Sequence, residues 1–221
     1  MVTELSEKEA MIRDVALQIV LFLLMIFMYL AMHGIPQKLF AKLRFRNRTS
    51  LRAKRHFVKG AQLLDQARRT TPSNSTSLAK QAEAEADQAI ALDPKDAASY
   101  LLKAMALILQ GFRTSALDAL DAALSPLAAK SLADAERGDA LLKRAELKIA
   151  LNQPGHVDSA LADLTESVKL SPKNAKAWCM LGECYEGNKM EEEAIKAYKE
   201  ALEVEPRLSL AQDALNRLAS S

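Results

Sequence analysis

Glycine and proline are scarce in this chain, seven of each in 221 residues. With so few turn-formers, and with alanine and leucine abundant, the composition favours helix and gives a sheet little support. Cysteine is scarcer still. Cys179 and Cys184 stand five apart in one predicted helix, too few and too poorly spaced for a disulfide framework or a zinc site. They read as reduced packing residues, compatible with a reducing compartment. The histidines are His33, His56 and His156. None is expected beside a cysteine or serine nucleophile, and no metal pair, phosphate-cradling glycine loop or nucleophile elbow is visible. The expectation is no enzyme, no cofactor and no metal site. Glu191, Glu192 and Glu193 open a helix, where acids favour the dipole, and need no carboxylate chemistry. A net charge of +2 gives a general nucleic-acid role no support.

Missing acids matter more by position. No Asp or Glu occurs between Asp14 and Asp65. The first part of that gap, Val15 to Met32, is almost unbroken apolar sequence with Gln18 its one strongly polar member. As a helix it spans roughly 27 Å, close to the hydrocarbon thickness of a bilayer. Residues 15–33 are therefore read as a retained transmembrane anchor. The preceding tail, 1–14, is acidic rather than basic, with Glu4, Glu7, Glu9 and Asp14, which argues against a cleaved signal peptide. After the anchor come Lys38, Lys42, Arg44, Arg46, Arg48, Arg52, Lys54 and Arg55, beginning in a basic juxtamembrane segment, 34–51. This asymmetry puts the C-terminal side in the cytosol, on the endoplasmic reticulum or an organelle outer membrane. The same cations suit anionic lipid on the cytoplasmic leaflet. Two N-glycosylation patterns, Asn47-Arg-Thr49 and Asn74-Ser-Thr76, are expected to carry no sugar in that orientation.

Beyond the anchor the chain repeats. Between Asn174 and Pro206 the residues fall as Trp178, two spacers, Leu181, Gly182, two more, Tyr185, then Ala194, three spacers, Tyr198, and Pro206. Small Gly182 and Ala194 let two antiparallel helices approach, the three aromatics fill the gaps, and Pro206 ends the pair. This stretch resembles the tetratricopeptide repeat, about 34 residues long. Laid over 97–125, it sets Tyr100, Ala104, Leu107, Ala116 and Leu120 on Trp178, Gly182, Tyr185, Ala194 and Tyr198. Pro126 arrives early, leaving Leu127 to Asp134 as an extended connection. Leu141, Ala145 and Ile149, then Ala160, Leu164 and Val168, make another hairpin around the turn Asn152 to Gly155. Gly60 and Leu63 with Ala82, Ala86 and Ala89 make the first, with a polar loop over Thr70 to Ser77 and a helix starting near Leu78. The repeats fall at about 52–94, 97–126, 137–172 and 174–206, with a cap at 209–219, all within 52–220. The fold expected is all-α: a transmembrane helix, an α-solenoid of about four hairpins and a capping helix.

The resemblance implies a superhelix of hairpins whose first helices line a concave protein-binding groove. Its groove positions map here to Phe57, Val58, Ala61, Leu64 and Asp65; Leu101, Leu102, Met105, Ile108 and Leu109; Leu142, Lys143, Glu146, Ile149 and Ala150; and Cys179, Met180, Glu183, Glu186 and Gly187. The first two sets form an apolar wall, suited to a hydrophobic or amphipathic helix unless the basic helix from Pro36 to Arg55 covers it. The family also has a mode that clamps acidic chaperone tails with Lys and Asn. Here Val58, Leu102, Met105, Met180 and Glu183 hold the matching places and cannot donate, so that partner is not expected. The reading is a membrane-anchored adaptor, with an accessory subunit of a membrane complex, its groove permanently filled, as the alternative.

Overall fold

The computed structural model describes residues 2–32, 35–153 and 155–219, all-helical among the described residues. The order is α1 (Val2–Met32), α2 (Ile35–Arg69), α3 (Pro72–Leu92), α4 (Ala97–Gln110), α5 (Arg113–Ala123), a 3-10 turn (Ala129–Ser131), α6 (Asp134–Leu151), α7 (His156–Leu170), α8 (Ala175–Gly187), α9 (Glu191–Val204) and α10 (Ser209–Ala219). Two compact units result, Met1–Leu51 and Arg52–Ser221. In the first, the apolar run lies on α1, where Leu17, Ile19, Val20, Leu21, Phe22, Leu23, Leu24 and Met25 are each more than half exposed. Among the described residues no helix is long and apolar enough to cross a membrane. The side chains of Phe27, Leu30, Ala31 and Met32, which complete the run in sequence, lie outside the described residues, as do those of Lys38, Lys42, Arg44, Arg46, Arg48 and Asn47.

In the second unit, hairpins stack into an α-solenoid. Its core is built on alanine: Ala79, Ala82, Ala86, Ala89, Ala104, Ala116, Ala123, Ala145, Ala160, Ala177, Ala194 and Ala201 have little or no exposed surface. Alanine at the crossings lets axes approach, and a few larger side chains, Leu120, Leu164 and Tyr198, fill what remains. At Gly182 the approach is close, since a Cβ there would lie 2.7–2.9 Å from the Tyr198 ring.

Three local expectations are corrected. The polar loop over Thr70 to Ser77 is mostly helix: α3 begins at Pro72, not near Leu78. Proline at the first helical position loses no hydrogen bond and already has the right φ; the Ser75 amide then bonds the Thr71 carbonyl at 2.8 Å. The connection after Pro126 is not extended. It folds into the 3-10 turn, buries Ala128 beside Ala97 and Ala123, and its Ser131 Oγ accepts the otherwise orphaned Ala97 amide at 2.9 Å. The expected helix from Pro36 to Arg55 is the first part of α2, which meets no proline between Pro36 and Pro72.

One polar cluster crosses the core. Asp163 on α7 accepts from Arg144 Nε at 2.8 Å and Nη2 at 2.5 Å, and from Lys148 Nζ at 2.7 Å. Lys148 also donates to Ser159 Oγ at 2.6 Å, and Arg144 reaches Asp121 on α5 at 2.9 Å. Asp163 and Lys148 are 6% and 8% exposed, and these bonds satisfy charges that would otherwise be very costly to bury.

Candidate functional site: a recess on the concave helices

A recurring turn sets the register of the first helices. Before α4, α8 and α10 a proline carbonyl accepts from a side chain six residues later: Pro94 from Tyr100 Oη (3.2 Å), Pro172 from Trp178 Nε1 (2.9 Å) and Pro206 from Gln212 Nε2 (2.7 Å). Each turn is also closed by a backbone bond, Asp96 to Asp93, Asn174 to Ser171 and Leu208 to Glu205. The clasp works with a phenol, an indole or an amide because each carries a donor at the end of a long side chain. At α8 the Asn174 side chain adds a cap, accepting from the Ala177 amide at 3.2 Å.

The signature residues fill the last repeat as their sizes require. Leu181, Gly182, Ala194 and Tyr198 are buried, Trp178 and Tyr185 are half-buried against the clusters on either side, and Pro206 is exposed in its turn. Tyr198 Oη donates to Glu186 at 3.0 Å, and Glu186 also accepts from Arg217 on α10 at 2.8 Å. The Arg217 guanidinium, helped by the Tyr198 hydroxyl, holds the Glu186 carboxyl below its ordinary range despite some burial. Glu186, one of the expected groove residues, is thereby occupied in fastening the cap.

The apolar wall expected on the first two repeats is mainly internal. Leu64 and Leu102 are each 6% exposed, packed with Ala82, Ala86 and Ala106, while Phe57, Ala61, Met105 and Leu109 lie half-buried on that cluster. Leu101 and Ile108 pack against a second cluster containing Leu107, Leu120 and Leu147. Of the apolar residues proposed for this wall, Val58 is the one largely open, at 51%. The reason is size: the facing helices offer alanines, so the leucines fill inter-repeat space instead of lining a surface. Asp65 is exposed and pairs with Arg69. Arg52, Lys54 and Arg55 are exposed on α2.

Concave space remains at the other end. A recess of about 390 Å³ is lined by Glu146 of α6, Lys176, Cys179, Met180 and Glu183 of α8, and Glu205, Leu208 and Leu210 leading into α10. Leu210 is 62% exposed. Glu146 is pinned between Lys143 and Lys176, each at 2.5 Å; burial pushes its carboxyl up, but the two ammonium groups outweigh that and hold it low. Glu183 moves the other way, raised by burial and by the neighbouring Glu186 charge. Burial, with Glu183 nearby, raises both thiols, Cys179 and Cys184, to about 11, so neither is a thiolate at neutral pH. A larger hollow of about 790 Å³ lies among the turn residues Leu170 to Lys176 with Ala135, Val204 and Glu205. The recess thus offers apolar contacts beside Glu146, held by two ammonium groups, and two carboxylates, Glu183 and Glu205, without an ion-pair partner among the described residues.

A family model described as tetratricopeptide repeat matches residues 175–208. Over these residues the chain is similar to a tetratricopeptide repeat. Solved structures extend the likeness along the solenoid. A crystal structure of MamA is 22% identical with a TM-score of 0.52, over 68% of this chain and 80% of that one. A MamA RS-1 ArsTM double mutant is 19% identical with a TM-score of 0.56, over 73% and 84%. In the APC/C hetero-tetramer Cut9–Hcn1, the match is 19% identical with a TM-score of 0.54, over 64% of this chain and 27% of that chain. At these identities the likeness is one of fold. No curated protein matches the chain.

Proposed function

We propose that this chain is a membrane-anchored adaptor without catalysis of its own, its repeat array facing the cytosol from the endoplasmic reticulum or an organelle outer membrane. The tetratricopeptide-like solenoid supports a protein-binding role in general. For anchoring, the support is the exposed apolar surface of α1, which water would not tolerate uncovered, with the run completed in sequence to Met32. Orientation rests on the cations after it and the absence of acids as far as Asp65.

The observation that carries the adaptor reading is the recess, where Leu210, Leu208 and Met180 stand beside Glu183. Apolar contacts flanked by a carboxylate suit an amphipathic helix whose polar edge carries Lys or Arg. The test is proximity labelling from the C-terminus, which reports compartment and neighbours together. Leu210→Asp with Glu183→Lys, both at exposed positions, should remove the labelled protein partner while circular dichroism stays helical. Unchanged labelling would sink the recess as the binding site. A defined large assembly after gentle detergent extraction would instead assign the accessory-subunit role.

A further inference from the structure

Of the basic flank, only Arg52, Lys54 and Arg55 have described side chains, and the recess leaves them without a contact to make. All are exposed, and none has an ion-pair partner among the described residues. The nearby acids are engaged: Glu85 accepts from His56 at 2.6 Å and Lys59 at 2.5 Å, Asp87 from Lys103, Asp65 from Arg69 and Glu83 from Gln110. One large apolar side chain of the same unit projects among these cations, Val58 at 51% exposure. Three residues after Arg55 and four after Lys54 on one helix, it stands on nearly the same side as both. The opposite side of α2, Ala53, Gly60, Leu64 and Ala67, is buried.

We infer that this face of α2 docks on an anionic lipid bilayer, Val58 entering the headgroup boundary while Arg52, Lys54 and Arg55 meet lipid phosphates and carboxylates. The inference rests on the membrane reading above and deepens it. Charge selects the partner: cations without an ion-pair partner among the described residues fit a negative surface, each cation strengthening binding about fivefold near an anionic leaflet. Val58 selects lipid over nucleic acid. Valine inserts among acyl chains but gives a base nothing to stack on, and the neighbouring aromatic, Phe57, is half-buried against Leu64 and Leu102.

The test places an environment-sensitive fluorophore on Val58→Cys in the full chain, with Glu203→Cys as an exposed control on α9. The native thiols, buried and raised to about 11, compete poorly for the label. Vesicles are phosphatidylcholine alone or mixed with phosphatidylserine. Expected is a blue shift at position 58 in the mixed vesicles only, quenched by nitroxide lipid, reversed by salt, and abolished by Arg52→Glu with Lys54→Glu and Arg55→Glu; position 203 stays water-like. If the chain floats with both vesicles yet position 58 stays aqueous in both, the docking face falls and the anchor stands. Flotation with the mixed vesicles alone, together with the shift, upholds the face and removes the anchor. A shift that survives the triple variant, or that poly-uridylate or poly-glutamate reproduces without lipid, overturns the inference.

Discussion

Asp163→Ala should be among the most damaging single changes in the solenoid. Its carboxylate takes three hydrogen bonds from two cations on the facing helix, and truncation leaves both cations in place. Arg144 keeps Asp121, which is largely solvated. Lys148, 10% exposed at the side chain, keeps only the Ser159 hydroxyl, which cannot neutralise it. Removing one partner of a buried pair costs about 3–5 kcal/mol, and the retained contacts place the expected loss near about 3 kcal/mol. Trp178, the chain's one tryptophan, packs against the cluster of Leu142, Ala145 and Leu164 that flanks this network. Urea unfolding followed by its fluorescence and by circular dichroism therefore reads the right region. The midpoint should fall sharply with little change in slope. A second arm separates burial from lost attraction: Lys148→Met with Asp163→Leu removes two charges together and should cost clearly less than Asp163→Ala alone. A loss below about 1 kcal/mol for Asp163→Ala, or a double variant no better than the single one, would refute the claim that uncompensated charge sets the cost.

Gly182→Ala places a methyl group 2.7–2.9 Å from the ring of Tyr198, whose hydroxyl is held by Glu186. A gain of about 1 kcal/mol in helix propensity should be exceeded by overpacking of about 1–3 kcal/mol, so the melting temperature drops, and Tyr198→Leu in the same chain recovers part of it; a higher melting temperature for Gly182→Ala would defeat this. Acid should loosen both ends of the solenoid, because Glu186, through Arg217, and Glu85, through Lys59 and then His56, have carboxyls below the usual value of 4.5. A carboxyl lowered in the folded state contributes its full stabilisation above the unfolded value of 4.5 and loses it as pH falls through the folded value. Glu186→Gln should accordingly flatten the decline in urea midpoint below about pH 4.5, and a parallel decline in wild type and variant would count against it. Asn74 is exposed in the first turn of α3, so a glycosidase-sensitive mass shift abolished by Asn74→Gln would reverse the proposed orientation; no shift is expected. Leu102→Asp should cost helical signal and not merely a partner, since Leu102 is 6% exposed between repeats.

How much of this was legible in the sequence depended on whether a residue's partner lay within its own hairpin. Trp178, Gly182, Tyr185 and Tyr198 announce the last repeat because large and small residues must alternate where two helices sixteen residues apart cross, as Gly182 and Tyr198 do. The same reasoning sets Ala104 opposite Ala116 and Leu120, which the structure buries together. It fails between hairpins. Leu102 occupies a groove position by count, yet Ala82 and Ala86 of the preceding hairpin leave a space that only a large side chain fills, and no spacing rule within one repeat reveals that. Asp163 gave no signal because its partners lie on another helix, at separations of 15 and 19 residues, and an aspartate mid-helix reads as solvated. The proline clasp was hidden differently: Tyr100, Trp178 and Gln212 share a position but no chemistry beyond a terminal donor. The recess joins these cases. Lys176 reads as a lone surface lysine, Leu210 as an edge of the cap and Glu183 as a failed clamp position. Only the stacking of α6, α8 and the segment entering α10 turns three unremarkable positions into one concave surface, so its ligand preference belongs to the junction of repeats.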